Sequence, residues 1–192
     1  MVRIALFASG SGTNVERLIA HFLAHDQVEV VLVGCDRPEA GVVARAWTAG
    51  VPLHLFNARD LEEGRVQREL ELWHVDLIVL AGFLRLIPPE LVRAFPDRIL
   101  NIHPSLLPKF GGKGMFGERV HEAVLADQEA VSGITVHLVN ERYDEGAIVF
   151  QATCPVLKND TPGSLAARIH ALEHEHYPLV VENYAKKLGP RA

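Results

Sequence analysis

Residues 3–20 read RIALFASGSGTNVERLIA. A short apolar run, Ile4–Ala8, meets a turn rich in glycine and hydroxyls, and helical periodicity then takes over across Val15–Ala24. A strand that enters a helix through a tight turn cannot pair back on itself as a hairpin. The strand that follows is therefore expected to lie parallel to the first.

Moving outward, the same alternation recurs. Val28–Val33, Val51–Leu55, Val75–Leu80 and Ile99–Ile102 are further candidate strands, nearly continuous in apolar character. Such runs suit parallel strands covered on both faces. Gly41–Ala49, Leu61–Trp73 and Pro89–Phe95 are the candidate helices between them. The pattern changes beyond residue 130. Gly133–Val139 and Ala147–Pro155 are joined by NERYDEG, too short for a crossover helix, which predicts antiparallel neighbours. A final helix is expected from near Thr161, a candidate cap with Pro162 behind it, to about Leu188. The expected fold is a doubly wound, mostly parallel α/β sheet with an antiparallel C-terminal pair and a long last helix. No repeat or linker divides it, so residues 1–192 read as one domain.

Composition narrows the partners. Apolar residues make up 48% and charged ones 22% of the 192 residues, an ordinary globular balance. The net charge of −5, without a run of Lys or Arg, disfavours a nucleic-acid surface but leaves room for a local basic pocket. The longest apolar run, Leu77–Leu84, is far short of the ~20 residues that span a bilayer. Met1–Ala8 is too short for the apolar core of a signal peptide, and Cys35 and Cys154 stand apart with no CxxC. Isolated cysteines suit a reducing cytoplasm and argue against a thiolate metal site.

Two stretches invite chemistry. In ASGSGTN (8–14) glycines let the backbone approach a ligand, and the helix start behind them favours an anion. The spacing departs from GxGxxG because Val15 holds the third glycine position. Asp36, in GCDRPEA, supplies the acid that a dinucleotide site would want after the second strand, or else caps a turn before Pro38. In NIHPSLLPKF (101–110), Asn101 and His103 share one side of an extended segment at a strand's carboxyl end. An amide donor and an imidazole aimed at one spot suit oxyanion stabilisation and proton transfer. Pro104 holds His103 away from helical geometry. A satisfied histidine beside a turn asparagine is the plainer alternative.

LNIHPSLLPKF resembles the signature of the folate-dependent formyltransferases. The likeness extends in order through RIALFASGSGTNVERLI, VDLIVLAGFLRLIPPELV, SGITVHLVNERYDEGAIVFQ and RIHALEHEHYPLVV, about 180 residues in all. It implies transfer of a formyl group from 10-formyltetrahydrofolate to the amine of glycinamide ribonucleotide in purine synthesis, without a metal. By the same resemblance Gly12, Thr13, Asn14 and Glu173 meet the ribonucleotide. Leu84, Arg85, Leu86, Ile87, Asn140, Glu141, Arg142, Tyr143 and Asp144 line the folate pocket together with Asn101. Asn101, His103 and Asp144 form the catalytic trio, and His137 lies close by. Residues 1–100 then carry the phosphate-binding half and 101–192 the catalytic and folate-binding half.

In this chemistry a tetrahedral adduct carries a negative oxygen. Asn101 would donate to it, and Asp144 would orient His103 and raise its pKa by opposite charge. GGKGMFG (111–117) is longer and richer in glycine than the usual family loop, so the roles of Lys113 and of loop closure stay open. Arg59 and Arg65 are alternatives for the folate tail. His170 and His174 share a helical face, where a phosphate-facing role for His170 outweighs a two-histidine metal site. The remaining alternatives are a nicotinamide-dependent dehydrogenase using Gly10–Asn14 with Asp36, and a nucleotide-binding module without catalysis.

Overall fold

The computed structural model describes residues 1–191. Seven strands form one sheet: β1 (Val2–Ala8), β2 (Val28–Cys35), β3 (Leu53–Leu55), β4 (Leu77–Leu80), β5 (Ile99–His103), β6 (Val131–Leu138) and β7 (Ile148–Pro155). Their order is β3-β2-β1-β4-β5-β6-β7. Pairings up to β5 are parallel, whereas β6 runs antiparallel to both β5 and β7.

Alternation of side chains builds a core on each face of the sheet. Ile4, Leu6, Leu77 and Val79 enter one core, which is covered by α1 (Thr13–Phe22), α2 (Gly41–Ala49), α6 (Glu118–Ala126) and α7 (Pro162–Leu188). Ala5, Phe7, Ile78 and Leu80 enter the other, beneath α3 (Ala58–Glu62), α4 (Arg65–Leu72) and α5 (Pro89–Ala94). Two-sided burial is why these strands lack polar alternation.

Four local expectations need correction. The single helix expected at Leu61–Trp73 is two. An Asn57–Asp60 capping box starts α3 early, and Gly64 at φ 71° ends the continuity before α4. The third strand begins only at Leu53, after Pro52, which has no N–H to give a ladder. The first helix starts at Thr13, two residues sooner than expected, because Gly12 takes the left-handed cap conformation. Helix α6 was not expected at all; the glycines before Glu118 mask a nine-residue helix that Gly117 introduces. The last helix follows expectation, with Thr161 accepting from the Ser164 amide in a capping box. It is docked by Tyr177, fully buried, whose hydroxyl donates to the Leu80 carbonyl at 2.8 Å. That contact sets one wall of the site against the end of β4.

Candidate active site

A cavity of ≈ 730 Å³ opens at the carboxyl ends of β1, β4 and β5. The sheet order reverses between β1 and β4, the crevice where α/β sheets gather ligands. Its walls come from the β1–α1 turn, the loop after β4, the β5 exit, the 112–118 segment and one face of α7.

At one end lie Gly12, Thr13 and Asn14. Gly12 has φ 77°, and a Cβ there would stand 2.6 Å from that of Val42, so the turn requires glycine. No side chain caps α1, and Gly12, Thr13 and Asn14 at its start line the cavity, where unpaired helix amides favour an anion. Asn14 is committed differently from expectation: its amide donates to Glu173 Oε2 at 2.9 Å. Glu173 is buried on α7, and burial pushes its carboxyl up against the opposing effects of the Asn14 hydrogen bond and His170. The sequence places these two residues 159 positions apart; the fold makes them one unit.

Asn101, His103 and Asp144 meet at the centre, and His137 completes an arc. The Asn101 amide donates to His137 Nε2 at 3.0 Å, while His137 Nδ1–H is held by the Leu138 carbonyl at 2.8 Å. The neutral tautomer that follows presents its Nε2 lone pair to Asn101. Asp144 Oδ1 lies 3.5 Å from His137 Nε2, and Oδ2 lies 3.5 Å from His103 Nδ1. His103 donates Nε2–H to the Phe110 carbonyl at 2.8 Å, so in the neutral ring Nδ1 is the free base.

Burial dominates the electrostatics of the His103 ring. Burial pulls the His103 pKa down; the Asp144 charge and the Phe110 hydrogen bond push it up without prevailing. The ring is therefore neutral at rest, not an imidazolium, and Asp144 keeps it from falling further. Burial raises the Asp144 carboxyl, but its contacts with the His137 and His103 rings and with the Gly112 amide outweigh it and lower its pKa.

The glycine-rich loop has a geometric purpose. Phe110 (φ 56°) and Asp144 (φ 57°) are both non-glycine residues in the left-handed region, a costly conformation held by the surrounding contacts. A Cβ on Gly111 would sit 2.5 Å from Leu107 Cδ2 and 3.2 Å from Asp144 Cβ. Gly112, at φ 98°, donates its amide to Asp144 Oδ2 at 2.9 Å. These two glycines let Asp144 approach His103. Lys113 lines the cavity.

The other end of the cavity is largely apolar. Leu84, Leu86, Ile87, Phe83 and Val139 line it, with Arg85 at its margin. Arg142, Tyr143 and Asp144 reach the wall, but Asn140 and Glu141 do not. Asn140 accepts the Arg142 amide, fixing the turn, and Glu141 pairs with Arg93 on the surface. Arg59 and Arg65 also stay outside, engaged with Glu63 and Asp60. Among the described residues the Arg and Lys side chains on the wall are Arg85, Lys113 and Arg142.

His121 is the wall residue that sequence reasoning missed. It is buried on α6, faces His103 and His170 electrostatically, and is pushed down to about 4 by burial and those two rings. The signal for it was a helix hidden behind glycines. His170 lines the cavity and His174 does not; among the described residues no three His, Cys, Asp or Glu are grouped to hold a metal.

Residues 2–181 match the formyl transferase family. This chain belongs to that family. Among its relatives in the family, phosphoribosylglycinamide formyltransferase of Bacillus subtilis is 37% identical over 188 residues, covering 95% of this chain and 94% of that protein. The chloroplastic phosphoribosylglycinamide formyltransferase of Arabidopsis thaliana is 43% identical over 93% of this chain. The chain spans 64% of that relative's length and 60% of its Vigna unguiculata counterpart. The solved glycinamide ribonucleotide transformylase 1 of Symbiobacterium toebii superposes with a TM-score of 0.89 at 37% identity, covering 97% of this chain and 89% of that one. The formyl transferase assignment agrees with the state of Asp36. Its side chain is 1% exposed and its Oδ2 accepts from Arg85 Nε at 2.6 Å, so the carboxylate is buried and not presented to a ribose. The dehydrogenase alternative loses its acid.

Proposed function

We propose that this protein transfers the formyl group of 10-formyltetrahydrofolate to the amine of glycinamide ribonucleotide, yielding the formylated ribonucleotide and tetrahydrofolate for purine synthesis. The observation that carries this reading is the placement of Asn101, His103 and Asp144 between an anion-type helix start and an apolar pocket. Phosphate fits the α1 amides with Gly12, Thr13 and Asn14, and Glu173 accepts hydrogen bonds from the glycinamide portion. The pterin fits the apolar end beside Leu84–Ile87 and Arg142–Asp144. One domain serves both substrates, its first hundred residues supplying the anion turn and the rest the catalytic groups.

Each side chain has a defined task in this reading. As the amine attacks the formyl carbon, His103 Nδ1 takes the proton leaving nitrogen, and ionised Asp144 stabilises the imidazolium formed. Asn101 donates to the carbonyl oxygen as it becomes negative. Collapse returns the proton from His103 to the departing folate nitrogen. His137 holds the Asn101 amide in place. Buried, free Cys35 and Cys154 suit a reducing compartment such as the cytoplasm.

The deciding experiment mixes protein, 10-formyltetrahydrofolate and glycinamide ribonucleotide and follows folate absorbance. Turnover requiring both substrates is expected; binding of either without turnover would move the reading to a non-catalytic module. Asn14→Ala tests the anion end. It should raise the ribonucleotide KM about tenfold while leaving kcat within about threefold, as for a contact made equally in ground and transition states. A collapse of kcat at unchanged KM would reassign the turn to chemistry.

A further inference from the structure

A polar relay lies behind the site, outside the cavity wall, and ends at the His103 ring. His103, Thr135 and Gln151 are register partners across three adjacent strands, His103 opposite Thr135 and Thr135 opposite Gln151. Thr135 is fully buried. Its hydroxyl donates to the Ser105 carbonyl at 2.7 Å and accepts from the Leu107 amide at 3.0 Å and from Gln151 Nε2 at 2.9 Å. Gln151 Nε2 also donates to the Leu107 carbonyl at 3.1 Å. Further along, the buried Ser105 hydroxyl donates to the Lys109 carbonyl at 2.8 Å. The next residue is Phe110, whose carbonyl holds His103 Nε2–H.

We infer that Gln151, acting through Thr135 and Ser105, is a positioning residue that fixes the His103 tautomer. The Ser105–Phe110 loop leaves the active site and returns to it, and it has no regular secondary structure of its own. The Phe110 carbonyl sits on a residue in the left-handed region, a conformation that its surroundings must hold. The relay supplies that support from the edge strand. Holding the proton at Nε2 leaves Nδ1 unprotonated toward Asp144, which is the state required of the base in the proposed reaction. The inference rests on that reading for its consequence in catalysis. The tautomer itself is a property of the free protein.

The test uses two variants and one control. Gln151 is exposed on β7, so Gln151→Met should fold with little loss, and Ser105→Ala attacks the relay from its other end. Cys154→Ala, in the core on the same strand, reports destabilisation without touching the relay. Ring nitrogen shifts from 15N NMR of the unliganded proteins are expected to show His103 as the Nε2–H tautomer in the wild type and in Cys154→Ala. Both relay variants should admit Nδ1–H, moving the tautomer ratio about three- to tenfold, the worth of one hydrogen bond. In the assay above, kcat should fall with the Nε2–H fraction while both KM values hold within about twofold. Unchanged ring shifts in both relay variants would overturn the inference. If the shifts move as expected but wild-type protein shows no formyl transfer, the positioning stands and the proposed function fails instead.

Discussion

Replacing Asn101 with alanine is expected to lower kcat about 10²–10³-fold, the usual cost of one oxyanion donor or ~2.7–4 kcal/mol, with the folate KM nearly unchanged. The expectation follows from geometry and from chemistry together. Asn101 lies within strand β5, paired on both sides, and its amide is oriented by His137, whose own Nδ1–H is tied to Leu138. A donor held in place before the reaction loses no reorganisation energy when charge appears. Steady-state kinetics on the purified variant, with a thermal melt to establish that it folds, decide the matter. A rise in folate KM at constant kcat would make Asn101 a binding group and remove it from the chemistry.

Asp144→Asn is the second large effect, expected at about 10²–10⁴-fold in kcat because the general base His103 loses the counter-charge that stabilises its protonated form. The sign of the pH dependence follows from burial. His103 is neutral above a pKa already pulled below 6.5, so wild-type kcat/KM should be flat above neutrality and fall as pH drops through that depressed value. Asp144 is a group that raises the His103 pKa; its loss lowers the pKa again. The acid limb of Asp144→Asn should therefore lie at lower pH than that of the wild type, beneath a lower plateau. Glu173, whose pKa is raised, adds to the loss of activity on the acid side in both proteins. Since the two groups act as a unit, the variant combining His103→Ala with Asp144→Asn should be scarcely worse than its poorer parent. A limb moving upward in pH, or fully additive losses, would break the assignment of His103 as base and Asp144 as its partner.

Much of the fold was legible in the chain. Apolar runs of four to eight residues alternating with helical periodicity announced parallel strands covered on both sides, and the two cores divide Leu6 from Phe7 as period-two geometry requires. Thr161 with Pro162 marked the last helix, and NERYDEG marked an antiparallel return. Where the reading of the helices failed, a glycine was involved each time: Gly64 splitting one helix, Gly117 concealing another, Gly12 moving a third. Backbone at positive φ starts or stops an element without altering the hydrophobic pattern, so periodicity is blind to it.

The site divides along the same line between local and distant. That Asn101 and His103 project together from a strand end was decided by their spacing of two, and the anion turn by its glycines and the helix behind it. The sequence alone also carried the resemblance that names Asp144 and Glu173. Their contacts were decided only by tertiary structure. Asp144 reaches His103 because β6 runs antiparallel to β5, while Gly111 has no side chain to block the approach. Asn14 reaches Glu173 because Tyr177 docks α7 against β4. The protonation of His103 belongs to the fold for a further reason. Desolvation and a neighbouring charge oppose each other there, and which prevails depends on how many atoms exclude water from the ring, a quantity no linear spacing contains.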